Sequence, residues 1–234
     1  VLSVKDKNVK SVIIPDGVTY IAAESFLGCS ARAEIKLPES VKEIANSAFK
    51  NTGLKSVNTG DGVAKIAAEA FADNKALTDL YIGKNVEKIG DKAFAGCSAL
   101  VAVNLPASLK YFSAVAFDGC SALTKITVDG ESKNFKSVGD IVYSADGKTL
   151  VMVANKNAKN VTVAKGTEVI AANAFDLVKG VSAITFPASL KAIEGKALDA
   201  TAWFSAQDGV VYAGPVLYRV KGLVADVTVK AGTT

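Results

Sequence analysis

The sequence predicts an α/β solenoid: a right-handed superhelix with a parallel β-sheet on one face, short helical turns opposite it, and two β-hairpin insertions. Three observations predict it. A phenylalanine preceded by a small residue recurs at Phe26, Phe49, Phe71, Phe94 and Phe117, in steps of 23, 22, 23 and 23 residues. After a gap of 58 it returns at Phe175, and 23 residues later Leu198 takes the same place. A fixed period of this size is the mark of one supersecondary unit stacked on itself. Second, each copy opens on an alternating apolar pair of the kind a half-buried strand needs. Third, the period breaks twice, and the two breaks resemble each other.

Each element follows from its residues. The alternating pairs are Ile35/Leu37, Val57/Thr59, Leu80/Ile82, Val103/Leu105 and Ile126/Val128. Pro38, Gly60, Gly83 and Pro106 then turn the chain. A pair three apart follows at Val41/Ile44, Val63/Ile66, Val86/Ile89 and Leu109/Phe112, and the Ala-Phe step suits one short helical turn. Three apolar clusters per coil point at one axis, and only neighbouring coils can bury them. Strands at Val12, Ile35, Val57, Leu80, Val103, Ile126, Val161, Ile184 and Val227 are expected to stack in order. The leucine six residues after Phe stands at Leu77, Leu100 and Leu123, while the 22-residue repeat uses Leu54. Arg32 replaces it in the first coil, which reads as loosely capped, with the arginine stem buried and its head in water.

Between Val128 and Val161 the segment FKSVGDIVYSADGKTLVMV places Ile141–Tyr143 and Thr149–Val153 around Asp146-Gly147, a strong hairpin turn. A second copy, FSAQDGVVYAGPVLYRV, repeats the spacing: Phe135 to Tyr143 and Phe204 to Tyr212 are both eight residues, and Leu150 matches Leu217. The domain reading is one solenoid over 1–234, with regular repeats 1–128, a hairpin insertion 129–160, repeats 161–198, a second insertion 199–225 and a truncated repeat 226–234. That last repeat stops mid-coil at Thr234, so the natural protein is expected to continue or the chain to be trimmed. Val1 stands where an initiator Met would, so the missing leader pattern says nothing about secretion.

The strand, the turn, the stretch Ile-x-x-x-Ala-Phe-x-x-Cys-x-x-Leu and the period of 22–23 resemble the BspA-like leucine-rich repeats of bacterial surface proteins. The resemblance runs from Val12–Phe26 through Ser189–Leu198. It implies a leucine-rich-repeat superhelix on a secreted or surface-anchored protein, often from host-associated bacteria, used in adhesion or ligand capture. Some members of that family bind host matrix proteins.

Cys29, Cys97 and Cys120 each fall three residues after the repeat phenylalanine, where other copies have Thr52, Asn74 and Val178. That column reads as a buried spine in which Cys acts as a small apolar residue. Coils about 4.8 Å apart would also permit a Cys97–Cys120 disulfide. The free exchange with Asn and Thr favours thiols. With no His and no paired cysteine spacing, neither a metal nor a cofactor is expected.

The net charge of +4 rests almost wholly on lysines, with Arg32 and Arg219 the two arginines, which argues against sequence-reading nucleic-acid binding. No apolar run reaches the roughly 18–20 residues of a membrane span. Among outward strand positions the carboxylates are Glu34 and Asp79, two coils or about 9.6 Å apart, a poor fit to a glycosidase pair. Catalysis therefore has little to stand on.

What remains is binding. The outward column Lys36, Asn58, Tyr81, Asn104 and Thr127 offers an amphipathic ring among amides, suited to a protein or a glycan. Trp203, Tyr212 and Tyr218 in the second insertion form a rival surface. The reading is a non-enzymatic extracellular or cell-surface adhesion module; the alternatives are a structural spacer within a larger surface protein and, more remotely, a polysaccharide-active enzyme. Because each phenylalanine contacts the coils on both sides, Phe94→Ala should cost about 3–5 kcal/mol in a thermal melt. Outward Lys36→Ala should be nearly neutral in the same assay.

Overall fold

The structure, a computed structural model, describes residues 13–29, 35–222 and 228–233. The chain is a β-solenoid of about seven turns with parallel sheets, and among the described residues its one α-helix is Ala202–Ser205. It divides into two compact units, Val1–Phe135 and Lys136–Thr234. Val12, Arg32, Glu34, Val227 and Thr234, all used in the sequence reading, lie outside the described residues.

In the first unit each coil carries two short strands. One is the alternating segment of the repeat: Ile35–Lys36, Ser56–Asn58, Asp79–Tyr81, Ala102–Leu105 and Lys125–Val128. These run parallel and stack Ile35 on Val57 on Leu80, and separately Val103 on Ile126. The expected unbroken ladder is thus two ladders, of three strands and of two, with no pairing between Asp79–Tyr81 and Ala102–Leu105. The other strand is Tyr20–Ile21, Glu43–Ile44, Lys65–Ile66, Lys88–Ile89 and Tyr111–Phe112, and these five form one continuous parallel sheet. Its inner column is Ile21, Ile44, Ile66, Ile89 and Phe112, with Phe135 edge-on against Phe112 at 5.1 Å. Two residues are too few to display a period of two, so the spacing of three reveals the apolar residue but not the strand.

The Ala-Phe turns are not helical, and the backbone shows why. Alternate N–H groups leave the coil: those of Ser47, Phe49 and Asn51 donate to the carbonyls of Ala68, Ala70 and Ala72 in the next coil. The N–H groups of Ala48 and Lys50 instead bond three residues back, to Ala45 and Ser47. A helix would keep every donor inside its own segment. Alternation requires residues in the left-handed region on either side of the phenylalanine. Glu24, Ser47, Glu69 and Lys92 take it two before, with φ from 55° to 58°. Gly28, Asn51, Asp73, Gly96 and Gly119 take it two after, with φ from 56° to 71°. Gly, Asn and Asp, the residues that adopt it most readily, hold the second of these places. The predicted α/β class is corrected to an all-β solenoid on this ground.

The phenylalanines form one stack. Successive rings from Phe26 to Phe117 are near parallel, with centroids 4.8, 5.2, 5.4 and 5.5 Å apart. Leu54, Leu77, Leu100 and Leu123 are buried beside them. The cysteine column is more than an apolar filler. The Cys97 Sγ donates to Phe71 O and the Cys120 Sγ to Phe94 O, each reaching the coil before its own. The neighbouring Cys120 thiol, together with burial, pushes the Cys97 thiol far above the usual thiol range. Both are thiols, not a disulfide. Asn74 makes the same reach with its Nδ2, to Phe49 O at 2.8 Å. Its Oδ1 accepts from the Thr52 N–H, the Thr52 hydroxyl and the Leu54 N–H. Those amides belong to the shortened repeat, so Asn74 satisfies donors that the missing residue leaves behind. Thr and Asn therefore do not exchange freely with Cys in this column.

In the second unit Ile141–Ser144 pairs antiparallel with Thr149–Val153 around Asp146-Gly147. Asp146 Oδ1 accepts from the Ser144 hydroxyl and the Lys148 N–H, and Gly147 takes φ 79°. Thr149–Val153 is also a rung of the solenoid: Leu150 pairs in register with Ile170, and Ile170 with Ile193. Gly209–Ala213 and Val216–Lys221 form a second antiparallel pair, and Val216–Lys221 lies against Ala192–Ile193. Asn160–Thr162 and Ala183–Thr185 pair parallel, with Val161 on Ile184. Tyr143, Leu150, Ile170, Phe175, Val178 and Leu198 are central to the core between them.

Replacing Asn74 by Leu orphans the buried Thr52 and Leu54 amides, at about 1–3 kcal/mol for each. Urea unfolding should show this loss, and Asn74→Cys should not rescue it although Cys suits the column elsewhere.

Candidate functional site

Parallel register decides which outward residues meet. Lys36 is level with Asn58, and Asn58 with Tyr81. Asn104 is level with Thr127 in the separate two-stranded ladder, where the Thr127 hydroxyl donates to Asn104 Oδ1 at 2.9 Å. The five-residue column of the sequence reading is therefore a group of three and a group of two.

Tyr81 is about half exposed, and its hydroxyl is held. It donates to Asp61 Oδ1 at 2.8 Å. Asp61 lies in the turn Gly60-Asp61-Gly62 of the preceding coil. Its Oδ1 also accepts the Lys84 N–H at 3.1 Å, and its Oδ2 pairs with Lys84 Nζ at 3.1 Å. The Lys84 N–H, then the Tyr81 hydroxyl and the Lys84 ammonium, hold the Asp61 carboxyl below the usual carboxylate range. The bond to Asp61, chiefly, raises the Tyr81 phenol. The turn can lie this close because of its glycines: a Cβ on Gly62 would stand 1.9 Å from Glu39 O, and one on Gly83 1.9 Å from Gly60 O. Asn58 Oδ1 accepts the Gly60 N–H at 2.9 Å. Sequence reasoning missed Asp61; the signal was a Gly-Asp-Gly turn one coil before the tyrosine.

A second outward column went unread because its strands were. Tyr20, Glu43, Lys65, Lys88 and Tyr111 stand level along the five-stranded sheet. Lys65 pairs with Glu43 at 2.7 Å, and Lys88 Nζ lies 5.3 Å from the Tyr111 ring centroid.

The aromatic residues of the rival surface are packed against their own fold. Trp203, in the helix capped by Thr201, is half-buried and edge-on to Phe186 at 5.3 Å. The Tyr212 hydroxyl accepts the Lys230 N–H at 2.9 Å, and the Lys230 ammonium lies 4.4 Å from its ring. Tyr143, the equivalent residue of the first antiparallel pair, accepts the Ala164 N–H at 3.1 Å. Ala164 and Lys230 are themselves equivalent in the sequence repeat. The Tyr218 hydroxyl donates to Asp199 at 2.5 Å and accepts the Leu198 N–H at 3.2 Å. Burial, then the bond to Asp199, pushes the Tyr218 phenol up to about 12.

Asp79, whose partner Glu34 in the sequence reading lies outside the described residues, accepts the Thr78 hydroxyl at 2.8 Å. No group of three or more His, Cys, Asp or Glu among the described residues is placed to hold a metal ion. No helix there is long and apolar enough to cross a membrane.

The BspA type leucine rich repeat region matches the chain in six copies, over residues 3–124, 64–145 and 152–206. The chain belongs to that family. No curated protein matches it. Among solved structures it resembles a leucine-rich repeat protein from Eubacterium ventriosum, at 20% identity and a TM-score of 0.70 over 79% of this chain and 49% of that one. It also resembles a leucine rich cell surface protein from Faecalibacterium prausnitzii, at 21% identity and 0.55 over 84% and 65%. A third is the pneumococcal vaccine antigen PcpA, at 21% and 0.54 over 78% and 60%. The chain thus spans about half the length of the first of these. The likeness is one of fold, and the family matched is a repeat family and not a catalytic one.

Tyr218 adds a pH dependence with a definite sign. Its folded pKa, about 12, exceeds the ~10 of an unfolded tyrosine. Its contribution is complete below about pH 10 and is lost as pH rises through about 12. Alkaline melts should show the wild type losing more stability over that interval than Tyr218→Phe.

Proposed function

We propose that this chain is a non-enzymatic binding module, secreted or displayed at a bacterial cell surface, that recognises a host protein or glycan through its repeat surface. The observation that carries the reading is the register of the outward strand residues. Lys36, Asn58 and Tyr81 are fixed level with one another by backbone pairing, and Asn104 with Thr127, so a ligand meets a surface already ordered. Membership of the BspA type repeat family supports it. Likeness to a protein described as a leucine rich cell surface protein supports the location. On this reading the repeats of each unit wind right-handed, as parallel crossover connections do in most proteins. The antiparallel pairs are insertions that flank the repeats, with Trp203, Tyr212 and Tyr218 as the rival contact surface.

Arrays of purified matrix proteins and of glycans test the proposal. Binding of the wild type to a defined spot, weakened by Tyr81→Ala at unchanged melting temperature, is the expected result. Affinity that ignores Tyr81 and collapses with Trp203→Ala would move the site to the rival surface. Silence on both arrays would leave the spacer role as the better account.

A further inference from the structure

We propose that Tyr81 and the residues around it form a stacking site for an uncharged glycan. This deepens the binding reading above and rests on it. The first argument is the state of the ring. Tyr81 Oη is committed to Asp61, and Asp61 is held in turn by the Lys84 N–H and ammonium. The ring is therefore positioned before any ligand arrives, and little rotamer freedom is lost on binding. With its hydroxyl used, what the half-exposed side chain offers is an apolar face whose negative quadrupole suits the C–H groups of a sugar ring.

The second argument is what stands beside it. Asn58, level with Tyr81, uses its Oδ1 on the Gly60 N–H. Its Nδ2, which makes no hydrogen bond among the described residues, supplies two donors. Exposed Lys36 supplies more, one coil further along. A ring face with hydrogen-bond donors at intervals of about 4.8 Å matches a chain of hydroxyl-bearing rings.

The third is charge. Lys36 and Lys84 are balanced by Asp61 and Glu39, whose Oε1 accepts the Asp61 N–H at 3.3 Å. With Asp79 also exposed on the Tyr81 strand, the surface carries mixed charge and no excess of cations to draw an acidic polymer. A protein partner fits less well. Protein interfaces bury about 800 Å² per side around several aromatic or arginine anchors, and Tyr81 is the single aromatic of its ladder.

Native gels containing laminarin, mannan or galactan, with heparin as the charged comparison, test this on the whole chain. At least one neutral polymer should retard the wild type, and raising the salt should not abolish the retardation. Tyr81→Ala should weaken it at least about tenfold with an unchanged melt. Tyr81→Phe, which keeps the ring and loses the tether, should weaken it by a smaller factor, and Tyr20→Ala with Tyr111→Ala should leave it intact. Three results would overturn the inference: no retardation by any neutral polymer, retardation by heparin alone that salt removes, or full binding by Tyr81→Ala. Tyr81-dependent capture of a purified matrix protein without glycan retardation would overturn the glycan and keep the binding reading. Silence from glycans and matrix proteins together would overturn both.

Discussion

The constraint on which this structure depends is that backbone donors pointing out of a coil must meet carbonyls of a neighbouring coil at one fixed spacing. In an ordinary domain a sheet and a helix satisfy their own backbones separately. Here the Ala-Phe turns do it jointly, sending every second N–H across to the neighbour and every other one three residues back. The left-handed residues on both sides of Phe26, Phe49, Phe71 and Phe94 follow from that alternation. The ring stack follows too, since a coil bonded at this spacing sets each phenylalanine directly over the one before. The rings do not set the spacing. They fill the column that the hydrogen bonds create, and the burial of that column is what makes stacked coils stable where a lone coil would not be.

Where the repeat departs from its period, polar side chains take over the missing backbone bonds. Asn74 receives the amides of the 22-residue repeat. The Thr59 hydroxyl, at a core position, accepts the Gly83 N–H at 2.9 Å. Tyr143 and Tyr212 hold the amides of Ala164 and Lys230, at matched places after the two antiparallel pairs. A buried amide without a partner is costly enough that every irregularity in such a fold needs a donor or acceptor of its own. No buried side-chain nitrogen or oxygen is left unpartnered among the described residues. The irregular residues are thus fitted to the period and not random drift away from it.

What the sequence disclosed was whatever repeats at the period. The apolar columns, the Ala-Phe spine and the stacking of Val57 on Leu80 and Val161 on Ile184 were legible because a buried position admits few residue types. The second sheet was not, because strands of two residues leave no pattern. The left-handed column was open to view as Gly28, Asn51, Asp73, Gly96 and Gly119, and reading it as conformational demand would have excluded the helical turns. The interruption between Tyr81 and Asn104 left no trace, since the residues on either side keep the repeat spacing. Of the candidate site, the tyrosine was visible and the aspartate beneath it was not. Asp61 matters through a neighbouring coil, and no single repeat contains both.

That division between coils bears on function. A residue inside one repeat is copied with it, whereas Asp61 and Tyr81 form a pair only because two different repeats lie in register. The Gly-Asp-Gly turn supplies the carboxylate, and the next coil supplies the ring, the Lys84 amide and the ammonium. Neither coil carries the arrangement alone, and the corresponding turns after Leu37 and Leu105 begin with Pro38 and Pro106 in place of Gly60. A uniform solenoid presents the same surface at every step and so distinguishes no place along its length. A ring fixed at one step, among donors supplied by two neighbours, makes one stretch of the ladder different from the rest, and such a local difference is what a ligand needs in order to bind at one register.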